Sequence, residues 1–161
     1  MTGLVVTLHD LDAEAFAPYG RFVMPPDEPG TRQFFSDALD TRSETSTPVL
    51  HVNHVLPQTL PITAKQIERH RYAAQCFFPL DVSRYVVMVT PSDANGSPVL
   101  DQALAFLMPA TAGVIYNPGV WHLGATILDR VGHFAVLMWR SGQLQDDDFQ
   151  SIPAMTIVAP T

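Results

Sequence analysis

Cysteine, lysine and charge in general are scarce in this chain, and each scarcity excludes something. Cys76 is the only cysteine among 161 residues, so no disulfide can close within the chain and the paired-cysteine zinc patterns are absent. Its apolar neighbours predict a buried thiol in a reducing cytoplasm. Lys65 is the sole lysine, and nine basic residues face sixteen acidic ones for a formal net charge of −7. With no basic cluster to neutralise phosphates, nucleic acid is excluded as a partner. No apolar run approaches the roughly 20 residues of a membrane helix. The opening Met-Thr-Gly-Leu-Val-Val carries neither a basic leader nor a cleavage pattern, which predicts a chain made without a secretory signal. Gly-rich phosphate loops and nucleophile elbows are also missing.

What is abundant is apolar surface and punctuation. Hydrophobic residues make up 47% and charged residues only 16%, a core-rich balance that predicts one domain over residues 1–161, with part of its surplus covered by a partner subunit. Fourteen prolines and nine glycines are spread along the chain, as many short strands with frequent turns require. Strands are expected over residues 4–8, 49–55, 62–70, 75–80, 85–90, 103–108, 114–117, 121–128 and 134–139. A short helix is expected at 12–16, where an acidic start is closed by Pro18 and Gly20. Residues 31–48 read as irregular. The run Tyr85-Val-Val-Met-Val89 implies a strand buried on both faces, and the apolar segment 152–159 is expected on the barrel exterior or across a subunit interface. The architecture predicted is all-β, a double-sheet jelly-roll barrel with one or two short helices.

Two clusters carry candidate chemistry. In Gly113-Val-Ile-Tyr-Asn-Pro-Gly-Val-Trp-His122 the Pro118-Gly119 turn re-aims the following strand and fixes His122 at an angle just past the bend. Alone, such a histidine is more readily a core residue donating to a backbone carbonyl. The second cluster is Glu68-Arg-His70 followed by Gln75. In a strand, 68 and 70 share a face, and residues 71–74 have the length of a hairpin return that sets Gln75 beside them on the adjacent strand; a helix over 62–70, which Ala64, Lys65 and Gln66 leave open, would splay Glu68 and His70 apart. The plainer alternative is a surface charge pair. His51 and His54 face opposite sides of a strand and are not a joint metal pair, although Asn53 shares a face with His51 and can line a pocket. Lys65 has the wrong parity for the cluster. Asp146-Asp147-Asp148 reads as a solvated turn, since adjacent carboxylates repel and face water.

These residues resemble a known pattern. Glu68-x-His70-x4-Gln75 is similar to a degenerate first cupin motif, and Gly113…Pro118-Gly119-x-x-His122 to the second. The resemblance implies a cupin-type double-stranded β-helix that holds a divalent transition metal with Glu68, His70, Gln75 and His122. More closely, Leu60-Pro-Ile-Thr…Glu68-Arg-His70…Gln75-Cys-Phe-Phe-Pro79 and Gly113-Val-Ile-Tyr116…Trp121-His122 resemble the ureidoglycolate lyase family, with support from Ala15-Phe16…Tyr19-Gly20 and Phe134…Arg140. That resemblance implies a cytoplasmic homodimer cleaving a small molecule, ureidoglycolate, to glyoxylate and urea in purine and allantoin breakdown. His70, His122 and Glu68 would be catalytic, and Arg140, Tyr116, Asn53 and Gln75 would bind substrate. The chain departs from the family pattern at Asn117, Leu123, His54 and Trp139. A metal-dependent dioxygenase or isomerase, or a non-catalytic cupin binding a small acid, would use the same framework.

Overall fold

A computed structural model describes residues 3–40, 46–141 and 146–161. Its strands are β1 (Leu4–Asp10), β2 (Gly20–Val23), β3 (Thr47–Val55), β4 (Ile62–His70), β5 (Gln75–Pro79), β6 (Arg84–Thr90) and β7 (Leu104–Pro109). They continue with β8 (Gly113–Tyr116), β9 (Trp121–His122), β10 (Thr126–Leu128), β11 (Gly132–Arg140) and β12 (Asp147–Val158). The single α-helix among the described residues, α1 (Ala13–Phe16), begins where Asp12 caps the amides of Glu14 and Ala15 at 3.0 Å each, satisfying donors the first turn leaves open.

Two sheets result. One runs β10-β6-β7-β1-β12-β4-β9, and a further β6–β9 pairing closes six of its strands into a barrel. The other runs β2-β8-β5-β11-β3. β6 is the clearest link from sequence to packing. Val86 and Met88 turn into a core with Leu8, Ile67, Trp121 and Met155, while Tyr85, Val87 and Val89 turn into a second core with Phe22, Phe77, Val114 and Phe134 from the five-stranded sheet. Both faces are buried, as the unbroken apolar run requires.

Three expectations are corrected. Residues 152–159 do not pack on the outside: most of them belong to β12, which lies between β1 and β4 in the sheet, with Ile152, Met155 and Ile157 buried. The hairpin expected from 71–74 is instead a corner between sheets. Ala73 and Ala74 are buried there, and β5 leaves β4 to pair with β8 and β11. The strand expected over 121–128 breaks into β9 and β10, separated by Leu123, Gly124 and Ala125. Of the irregular stretch 31–48, residues 41–45 lie outside the described residues.

Candidate active site

The Asn117–Val120 turn is the second corner between the sheets. Val120 N–H closes it on the Asn117 carbonyl at 3.3 Å, and Gly119, at φ 78°, donates its N–H to the His70 carbonyl at 2.6 Å. Glycine is the residue that adopts this φ without cost. The corner carries the chain from β8 in one sheet to β9 in the other, where His122 pairs with Glu68 of β4. His122 therefore stands between the sheets, with Tyr116 of β8 stacked on its ring at 4.0 Å and 13°.

Oxygen acceptors face both nitrogens of His122. Nδ1–H donates to the Val120 carbonyl at 2.9 Å, while Nε2 lies 3.0 Å from Gln75 Oε1 and 3.5 Å from Glu68 Oε1. Each ring nitrogen of His122 therefore has an oxygen to which a proton on it would donate. Burial alone pushes the Glu68 carboxyl up, but the hydrogen bond and charge of His122, with His70, outweigh it and hold the group below its ordinary value. Gln75 reaches this site from the opposite sheet, its amide nitrogen 4.0 Å from Met138 Sδ.

His70 has the opposite character. Burial first, and the charge of His122 second, lower its pKa below the ordinary 6.5 despite nearby carboxylates. Its ring is 94% buried, and neither Nδ1 nor Nε2 makes a hydrogen bond among the described residues, although Nδ1 lies close to the Asp147 carboxylate. The site therefore pairs one imidazole arranged as a donor with another kept neutral, their centroids 5.9 Å apart. Two neighbouring imidazoles in unlike environments, one facing oxygen acceptors and one disfavoured as a cation by burial, are the arrangement an acid/base pair requires.

The acidic run corrects another expectation. Asp146, Asp147 and Asp148 are not a solvated turn but the approach to β12 and its first residues, laid against β4. Asp147 Oδ1 is 2.9 Å from His70 Nδ1 and its Oδ2 is 3.0 Å from Arg140 Nη1. Asp146 accepts the Tyr72 amide at 2.8 Å, and Asp148 accepts from Arg69 and Arg71. Repulsion within the run is offset because each carboxylate meets its own cation or donor. One signal in the sequence pointed here: residues 146–152 contain no glycine or proline to make a turn, and the punctuation lies earlier, at Gly142. Side-chain exposure rises from 1% at His122 through 6% at His70 and 17% at Glu68 to 24% at Asp147 and 53% at Arg140, so the site faces solvent on the Asp147–Arg140 side.

Of the residues expected from sequence, Glu68, His70, Gln75, His122 and Tyr116 are brought together. Arg140 stands at the rim, one carboxylate removed from His70. Asn53 is not brought to the cluster: its Oδ1 accepts the Phe134 amide across the β3–β11 pair at 3.0 Å. Tyr116 lies against the histidine, but burial, then Tyr85 and Glu68, raise its phenol well above 10. It is a neutral stacking wall rather than a base. Trp121 serves structure, its ring under Arg69 at 4.3 Å and its indole N–H on the Gly96 carbonyl at 2.9 Å. Beside Tyr116, a mostly apolar cavity of about 10 Å³ lined by Leu123, Gly124 and Thr126 has room for about one water.

Comparison with known proteins bears on this geometry. A family model described as ureidoglycolate lyase matches residues 4–157. The chain belongs to the ureidoglycolate lyase family. It is 35% identical over 138 residues to a putative ureidoglycolate lyase of Agrobacterium fabrum, covering 86% of this chain and 85% of that one. Identity is 32% over 142 residues to the ureidoglycolate lyase of Burkholderia cepacia, covering 83% and 78%. Among solved structures it is similar to RmlC from Streptococcus suis at a TM-score of 0.39 and 10% identity, covering 80% of this chain and 53% of that one. Within the family framework Leu123 packs against the barrel core, which explains an apolar residue immediately after His122. No helix among the described residues is long and apolar enough to cross a membrane.

Proposed function

We propose that this family member is a ureidoglycolate lyase, eliminating urea from ureidoglycolate to leave glyoxylate. The observation that carries the reading is the buried imidazole pair, in which His122 Nε2 faces Gln75 Oε1 and Glu68 Oε1 while His70 Nε2 has no hydrogen-bond partner. The substrate is a carbinolamine whose central carbon bears a hydroxyl, a carboxylate and a urea nitrogen. His70 Nε2 takes the hydroxyl proton and the carbon–oxygen double bond forms. The carbon–nitrogen bond breaks with its electron pair on nitrogen, and His122 Nε2–H protonates the departing urea. Glu68 and Gln75 fix the direction of its N–H, and Tyr116 fixes the plane of its ring. Asp147 orients His70 from the far nitrogen. Arg140 remains able to bind the substrate carboxylate, because a guanidinium has five donors and Asp147 engages few of them.

The same residues fit a metal. Glu68, His70 and His122 each offer a donor atom, all within 4.8 Å of one another, and His70 Nε2 is an orphaned buried donor site. Two imidazoles and a carboxylate suit a borderline divalent transition ion, with the neutral Gln75 amide as a fourth ligand. Such an ion, when bound, would polarise the substrate hydroxyl and lower its pKa.

Product analysis on ureidoglycolate tests the activity. The pH profile tests the roles. Because His70 must be unprotonated and its pKa lies below 6.5, kcat/KM should stay level down through that value and fall only at lower pH. The sign is the same for stability. Below 6.5 the unfolded chain takes up the proton before the native one does, so stability also declines as pH falls. An acid limb centred above 6.5 would rule out His70 as the base.

The reading also includes a cytoplasmic homodimer, and sedimentation at the dimer mass is expected.

A further inference from the structure

The second histidine cluster of the molecule lies outside the site described above, on the outer face of the five-stranded sheet. His54 of β3 and His133 of β11 are direct cross-strand partners, so their side chains leave the same face. His54 Nδ1 and His133 Nε2 face each other at 2.9 Å, with the rings inclined at 68°. On its other side His133 is held by Asp81 of the loop between β5 and β6. Nδ1 lies 2.9 and 3.1 Å from the two carboxylate oxygens, and the His133 amide donates to Asp81 Oδ1 at 2.7 Å.

From this geometry we propose a transition-metal site in which His54 Nδ1 and His133 Nε2 are the ligands and Asp81 is the outer carboxylate that fixes His133. Three features carry it. Asp81 accepts a hydrogen bond from the His133 Nδ1–H and so leaves the lone pair on Nε2, the nitrogen aimed at His54; a ligating histidine characteristically donates its other N–H to a carboxylate. Two nitrogens bound to one ion at 2.0–2.1 Å and a right angle are separated by about 2.9 Å, which is the separation found. The register pairing sets both ligands on rigid strands rather than loops, so little ordering cost accompanies binding. His54 can supply its Nδ1 lone pair by moving its proton to Nε2. Right-angled imidazole pairs with open positions filled by water suit Cu(II) or Ni(II), and Cu(II) binds such sites more tightly. Magnesium, which demands oxygen ligands, should not bind. An ion here would clip the edge strand β3 to β11.

The site shares no residue with the Glu68–His70–His122 cluster, so the two can be separated in one experiment. Chelator-treated, dialysed protein is titrated with CuCl₂, and separately NiCl₂, by calorimetry and by thermal unfolding. The wild-type protein should bind one equivalent more of either ion than His54→Gln or His133→Gln. Unfolding should shift up by about 5–10 °C at a hundredfold excess over Kd, and both variants should lose that shift. Asp81→Asn should weaken the same equivalent by 10–100-fold without removing it. His122→Asn should retain it, and MgCl₂ should produce no shift. Equal stoichiometry and equal shifts in the wild-type protein and His54→Gln would overturn the proposal and leave the pair as a hydrogen bond alone.

Discussion

His122→Asn is expected to lower kcat on ureidoglycolate by about 10²–10⁴-fold, the range a positioned proton donor contributes, while the protein remains folded. Asparagine is chosen over alanine because His122 is buried and faces two side-chain acceptors. Truncation to alanine would leave Gln75 Oε1 and the Glu68 carboxylate without a donor and would mix a stability loss into the result. Folding is checked by thermal unfolding of the same preparation. A second variant separates proton transfer from packing. His70→Gln should also abolish turnover, and any residual rate should lack the acid limb described above. If His122→Asn turned over within threefold of the parent, the proton-donor role would be wrong whatever the fate of the fold.

Gly20→Ala should be the most damaging substitution outside the site. Gly20 pairs with Tyr116 across β2 and β8, at φ 153°, and a Cβ there would stand 1.8 Å from the Ile115 carbonyl oxygen. That contact is with backbone, so no rotamer change relieves it and the two strands must part. A loss of about 3–4 kcal/mol is expected, at the upper end for single substitutions, or roughly 10 °C in Tm for a chain of this length. The displaced strand carries Tyr116, so the stack on His122 and the turnover rate should suffer with it. Gly119→Ala is the matched control. Its φ is 78° and nothing lies within 4 Å of the added carbon, so only the backbone conformation opposes it, at about 1–2 kcal/mol. Equal melting temperatures for the two variants would contradict this ranking.

The parts of the fold legible in sequence were those governed by local periodicity. The unbroken apolar run in β6 implied burial on both faces, and it separates the two cores. Alternation in β4 set Glu68 beside His70, and Pro118-Gly119 marked the corner that aims His122. What sequence could not supply was the choice of partner strand. A four-residue link is compatible with a hairpin or with a corner between sheets, and only the burial of Ala73 and Ala74 selects the corner. Gln75 reaches His122 either way, so the residue was right and its route was not. The aspartate run was misread for a related reason. Repulsion among adjacent carboxylates argues for solvent unless cations wait on neighbouring strands, and Arg69, Arg71 and Arg140 are brought there by long-range pairing. The pairing of His133 with His54 is invisible to local pattern for the same cause, since the two lie 79 positions apart.

The most direct measurement is the nitrogen product of ureidoglycolate turnover, with glyoxylate, urea and ammonia quantified separately in one reaction. Elimination by the His70–His122 pair leaves the ureido group intact, so urea and glyoxylate should appear in equal amounts with no ammonia above the enzyme-free control. Ammonia in place of urea, or no glyoxylate at all from folded protein, would contradict the lyase reading.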